Sequence, residues 1–122
     1  MNYSAKNIRA FIGAKDFEES KEFYTKLGFE IVDIPGDMVL VKVNDNLAFY
    51  LQKYYQKKWV QNSMIFLEVD DIESCYADLL SRDLASQYKY VRLSEIKTFD
   101  WGRECFLHDP SGILWHFCEF NS

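Results

Sequence analysis

Trp101-Gly102-Arg103-Glu104-Cys105-Phe106-Leu107-His108-Asp109-Pro110-Ser111-Gly112-Ile113-Leu114-Trp115-His116-Phe117 is the stretch whose reading decides the fold. It consists of two runs of apolar and aromatic residues joined by Asp-Pro-Ser-Gly. Proline presets φ at the second position of a turn, and Gly112 tolerates a positive φ. Branched and aromatic residues on both sides suit strands buried on at least one face. The stretch therefore predicts a hairpin in the interior of a sheet.

Upstream, Val91 to Lys97 predicts another strand, and residues 83–90 a loop. Asp70-Asp71 opens a helix whose inner face is Ile72, Cys75, Tyr76, Leu79 and Leu80, and Met64 to Val69 is the strand before it. The first half of the chain follows the same plan. Residues 8–14 form a strand. Asp16 caps a helix, with Glu19 three residues on as a capping box and Phe17, Ser20, Phe23, Tyr24 and Leu27 as its apolar stripe. Gly28 ends that helix. Strands follow at Phe29–Ile34, Met38–Val43 and Leu47–Gln52, with turns at Pro35-Gly36-Asp37 and Asn44-Asp45-Asn46. The strand-then-helix start at Asp16 recurs at Asp71, 55 residues later. The sequence is therefore an α+β chain of two βαβββ modules, about 7–53 and 63–120. Residues 54–62, polar and aromatic without strict period, join them as a connector. Neither half buries both faces of its sheet alone. Side by side they predict an eight-stranded curved sheet, a half-barrel with helices outside and a groove inside.

A chain of 122 residues is one domain by size. Apolar residues at 48% argue for a folded chain, and aromatics at 17% are high, an excess to be shared between the core and the lining of a pocket. The net charge of -5 disfavours nucleic acid and anionic membrane surfaces as partners and mildly favours a cationic ligand. Cys75, Cys105 and Cys118 show no CxxC spacing and read as reduced apolar residues, an expectation of a cytoplasmic protein. No signal peptide is evident, and no apolar run approaches the ~20 residues of a membrane span.

The final hairpin resembles that of the glyoxalase/bleomycin-resistance/dioxygenase, or vicinal-oxygen-chelate, superfamily. It is most similar to the bleomycin-resistance branch, which runs Trp-Gly-Arg-Glu-Phe, then Asp-Pro-x-Gly, then an apolar strand with a His. The similarity is strongest from Asn62 to Phe120. It implies a homodimer with ligand sites in clefts between subunits. The branch also exchanges an N-terminal strand with a Pro near its start; Ala10 stands there in this chain.

Metal-dependent relatives place four His or Glu ligands inside the groove. Carried over one at a time, those positions fall on Arg9, Tyr50, Met64 and His116. Only His116 is a good ligand, and one imidazole does not hold a catalytic ion. Glu68 and Glu104 are nearby acids that strand alternation gives no reason to converge. The expectation is no metal and no cofactor. His116 is then either a hydrogen-bonded wall residue or a reader of ligand. No G-x-S-x-G, phosphate loop or Cys–His pairing points to covalent chemistry.

A metal-free groove gains affinity from burial and stacking. Trp101, with Gly102 and Arg103, matches the branch residue that lies on the ligand; its alternative is a plug at the barrel end. Trp59 sits in the connector, while Phe49 or Tyr50, and Met38 or Leu40, face the groove depending on register. If His116 faces the groove, Trp115 and Phe117 are core. Three functions follow as alternatives. The first is a metal-independent protein sequestering an aromatic, cationic, antibiotic-like molecule. The second is an enzyme of the same fold, metal-dependent or acting through His116 and a carboxylate. The third is an interaction module with a filled groove.

Overall fold

The computed structural model describes residues 3–122. The first module runs β1 (Phe11–Gly13), α1 (Phe17–Lys26), β2 (Glu30–Asp33), β3 (Met38–Lys42) and β4 (Ala48–Gln52). A short helix α2 (Lys57–Gln61) leads into the second: β5 (Met64–Glu68), α3 (Ile72–Arg82), α4 (Leu84–Gln87), β6 (Arg92–Leu93), β7 (Lys97–Phe99), β8 (Gly102–His108) and β9 (Leu114–Phe120). Both long helices start as their sequences dictate. The Asp16 carboxylate accepts the Glu19 N–H at 3.1 Å, and the Asp71 carboxylate accepts those of Glu73 and Ser74.

The α+β plan of two βαβββ modules with curved sheets holds, and the details differ in four places. First, the strands divide between a sheet ordered β1-β4-β3-β2 and one ordered β5-β9-β8-β6, with β7 also on β8. Second, the predicted strand at 91–97 is two strands. The register shifts by one residue between Leu93↔Leu107 and Lys97↔Glu104, so an extra residue bulges out. Ser94 Oγ accepts the Phe106 N–H there at 2.9 Å. Third, the segments expected to be irregular each contain a helical turn. Val60 anchors α2 by its burial, and in α4 Leu84 is buried while Ser86 Oγ donates to the Asp83 carboxylate. Fourth, Leu80 of α3 lies 54% exposed, because the inner face of the helix runs through Ile72 and Leu79 instead.

Strand alternation decides what each sheet presents. Val39, Val41, Phe49, Leu51 and Ile12 point to the α1 side and are buried, and Cys105, Leu107, Trp115 and Phe117 point to the α3 side and are buried. These two helix-covered faces share one core. The rings of Tyr24, Phe49 and Trp115 meet within 6 Å of one another across the module boundary. The opposite face of each sheet is left open. Among the described residues no helix is long and apolar enough to cross a membrane.

The Asp109-Pro110-Ser111-Gly112 turn does more than reverse the chain. Asp109 Oδ1 accepts the N–H groups of Ser111 (2.8 Å) and Ile113 (2.9 Å), and Gly112 takes φ of +102°. Asp109 Oδ2 accepts the Tyr24 hydroxyl at 2.6 Å, and Trp115 Nε1 donates to that same hydroxyl at 3.0 Å. Ser111 Oγ accepts the Lys15 N–H at 2.9 Å. The turn of the second module is thus wired to the segment before α1 and to the C-terminal half of that helix in the first. Burial pushes the Asp109 carboxyl up to about 6, against the lowering effect of the Tyr24 hydroxyl and the turn N–H groups. Burial and the neighbouring Asp109 charge push the Tyr24 phenol well up.

Two outcomes follow. Tyr24→Phe leaves Asp109 Oδ2 and Trp115 Nε1 without buried partners and destabilises the fold by about 2–4 kcal/mol in urea unfolding. Asp109 keeps its proton in the folded state to about pH 6, whereas the unfolded chain releases it near the ordinary 3.8. Its contribution is complete below about pH 4 and is lost as pH rises through 6, amounting to about 3 kcal/mol. Comparing chain stability at intervals from pH 4 to 7, that decline is present in the wild type and missing in Asp109→Asn.

Candidate functional site

The open face of the second sheet is aromatic by register. Phe66, His116 and Phe106 lie directly abreast on β5, β9 and β8. The next row is Glu68, Cys118 and Glu104, and Phe120 pairs with Gly102 beyond it. The rings form a connected shelf. Phe106 meets His116 edge-on at 5.1 Å, Phe66 contacts His116 and Phe120, and Phe120 contacts Trp101, which stacks on Phe99 at 5.3 Å. Phe66, Phe99, Trp101 and Phe120 each remain 40–49% exposed. Four large exposed rings in one patch form a contiguous apolar surface rather than scattered apolar positions.

At its centre His116 Nδ1 lies 2.8 Å from Glu104 Oε1, a carboxyl that is only 4% exposed. Alternation along one strand does not bring these two together; they are diagonal neighbours across β8 and β9, a separation that long side chains close. A carboxylate at Glu104 accepts from Nδ1–H, which leaves Nε2 directed towards Met64 Sδ, 3.4 Å away. Gly102 is required for packing here. A Cβ on it would overlap the Glu119 carbonyl oxygen and lie 2.9 Å from Phe120 Cα.

The first sheet has a similar plan, with Phe11 standing 55 residues before Phe66. Phe11, Tyr50 and Leu40 lie abreast on β1, β4 and β3. Phe11 stacks on Tyr50 at 4.9 Å, and Arg9 Nη1 donates to the Tyr50 hydroxyl at 3.2 Å with its guanidinium over the ring. Between the segment at residues 6–10, the β3–β4 hairpin and β5 lies a cavity of about 560 Å³, whose floor includes Phe49 and Trp115. That volume is within the range of small-molecule sites.

The structure places the sequence-derived candidates in three groups. Trp101, Gly102 and His116 share the open face of the second sheet. Tyr50 and Met38 lie on that of the first, Met38 opposite Gln52. The others lie elsewhere. Phe49 points into the core and reaches only the cavity floor, because Tyr50 has the outward register. Arg103 turns to the helix side and pairs with Glu73 of α3 at 2.6 Å. Trp59 sits on α2 against the edge of Tyr54. Missing from those candidates are Phe66, Phe106 and Phe120, although two signals point to them. Phe66 is Phe11 advanced by the repeat, and Phe106 and Phe120 share a face with His116 by alternation and pairing.

The four positions equivalent to metal ligands meet as two separate pairs, Arg9–Tyr50 at the first sheet and Met64–His116 at the second. Their donors are a guanidinium, a phenol, a thioether and one imidazole, which do not fit a divalent catalytic ion. Among the described residues no three His, Cys, Asp or Glu side chains group as a metal site. Nor are the thiols poised as nucleophiles: burial pushes Cys105 up to about 12 and raises Cys75 as well.

No curated protein matches the chain. Several solved structures are similar in fold. A bleomycin-binding protein complexed with bleomycin superposes with TM-score 0.78 at 21% identity, over 96% of this chain and 100% of that one. A bleomycin resistance determinant encoded on the transposon Tn5 gives 0.77 at 20%, over 95% and 99%. TnmS3, an antibiotic binding protein from Streptomyces sp. CB03234, gives 0.74 at 21%, over 97% and 98%. The sequence profile of one family matches residues 8–117, nearly the whole of both modules, and by that match the chain belongs to the Glyoxalase/Bleomycin resistance protein/Dioxygenase superfamily.

Proposed function

We propose that the chain is a metal-independent binding protein that sequesters an aromatic, cationic, antibiotic-like small molecule without making or breaking a bond. The observation that carries this reading is the exposed shelf of Phe66, His116, Phe106, Phe120 and Trp101 around the buried Glu104. Flat heterocycles stack on such rings, and a cationic ligand gains from ring faces and from the carboxylates of Glu68 and Glu104. The donor set at the family's metal positions supports binding without an ion. The similarity in fold to antibiotic-binding proteins points the same way.

One shelf covers one side of a planar ligand. Each sheet of a single chain has its open face on the side opposite the shared core, so the second wall comes from another copy. A homodimer that sets the Phe11–Tyr50 face of one subunit against the Trp101–His116 face of its partner encloses the ligand. It also covers rings otherwise left in water. Trp101 and His116 then contact the ligand, with Tyr50 and Met38 from the other subunit. Gly102 keeps Trp101 at its height above the sheet, while Arg103, Phe49 and Trp59 support the cleft walls.

The Glu104–His116 bond also favours a second reading, in which Nε2 acts as a general base on a bound substrate. The two separate cleanly. Tryptophan fluorescence is titrated with bleomycin and with planar cationic dyes, with and without chelator, and the recovered ligand is weighed by mass spectrometry. The binding reading expects quenching indifferent to chelator, ligand of unchanged mass, dimers in sedimentation and at least about tenfold weaker binding in Trp101→Ala. Quenching that requires added Zn, Ni or Fe, or no quenching by any of these ligands, sinks it. A changed mass that His116→Gln prevents establishes the enzyme instead.

A further inference from the structure

At the other end of β8 from Trp101 lies a pocket of different character. It occupies about 370 Å³ beside the Pro110-Ser111-Gly112 turn, with Lys15, Lys89, Arg92, His108, Tyr55 and Tyr90 in its walls and no Asp or Glu among its lining residues. Arg92 and His108 are direct cross-strand partners on β6 and β8. Lys15, Lys89 and Arg92 form no ion pair among the described residues, and no carboxylate lines the pocket they share. Three unpaired cations thus converge in a chain whose net charge is -5. Burial and the Arg92 charge hold the His108 imidazole below its ordinary range, so near neutral pH it offers a hydrogen bond without a fourth charge.

The walls also specify shape. The Lys15 ammonium lies 5.8 Å from the centre of the Tyr55 ring, and the Lys89 ammonium 5.3 Å from that of Tyr90, so each charge comes with a flat apolar surface beside it. The volume equals roughly a dozen water volumes, several times a phosphate group. We propose that this pocket binds a small organic phosphate, a phosphate monoester carrying a planar ring. The Arg92 fork holds two phosphate oxygens, Lys15 and Lys89 neutralise the dianion, and Tyr55 and Tyr90 flank the ring. This site is independent of the aromatic shelf and opposite to it in charge preference.

The test titrates the full chain with phenyl phosphate and, separately, with inorganic phosphate, followed by amide shifts in ¹H–¹⁵N spectra. Phenyl phosphate should shift Lys89, Arg92, His108 and Gly112 saturably and bind more tightly than inorganic phosphate. Arg92→Gln should weaken it about tenfold. Lys15→Gln with Lys89→Gln should abolish it. These side chains are exposed, so the variants fold, while Trp101→Ala leaves phosphate binding intact. The proposal is overturned by no saturable shift up to about 10 mM, by shifts indifferent to Arg92→Gln, by inorganic phosphate binding as tightly as phenyl phosphate, or by loss of binding in Trp101→Ala, which would move the ligand to the shelf.

Discussion

The buried chain of hydrogen bonds from Trp115 Nε1 through the Tyr24 hydroxyl to the Asp109 carboxylate is the constraint on which the molecule turns. A carboxyl in an apolar core is costly unless every lone pair is used. Here one oxygen holds the turn's own N–H groups and the other reaches the first module's helix. The same bonds therefore shape the hairpin, fix the rotation of α1 and orient Trp115 against Phe49. The two modules cannot slide past each other without leaving a buried polar atom bare.

Because the modules are locked through their helix-covered faces, the other face of each sheet remains for function. That face runs from the stacked Phe99–Trp101 pair, through the Glu104–His116 bond, to His108 and Arg92. It is therefore acidic and aromatic at one end of β8 and basic at the other. The proposed cationic ring system belongs to the first end, and the proposed phosphate monoester to the second. The side chains at the family's metal positions meet in pairs, Arg9 with Tyr50 and Met64 with His116, but they are a guanidinium, a phenol, a thioether and one imidazole rather than a set of metal ligands.

Much of the fold was legible from local signals. Asp16 and Asp71 declare their helices because a carboxylate at the N-cap satisfies N–H groups within three residues of it. The Asp-Pro-Ser-Gly turn and the 55-residue repeat were equally plain. Less legible were α2 and α4, each a single turn held by one buried residue, too short for periodicity to register. The bulge near Ser94 was hidden as well, because a one-residue register shift is a property of two strands together.

For the site, sequence alone determined the composition: a surplus of aromatic residues, a His on the last strand, and no set of metal donors at the family's positions. These follow from residue identity and from spacing along the chain. Only the tertiary structure decided which residues share the surface. Register sent Tyr50 outward and Phe49 inward, a helix on the far side of the sheet drew Arg103 to Glu73, and strand adjacency joined Glu104 to His116. A side chain's face is set by pairing with strands distant in sequence, and that pairing is fixed only when the whole core closes.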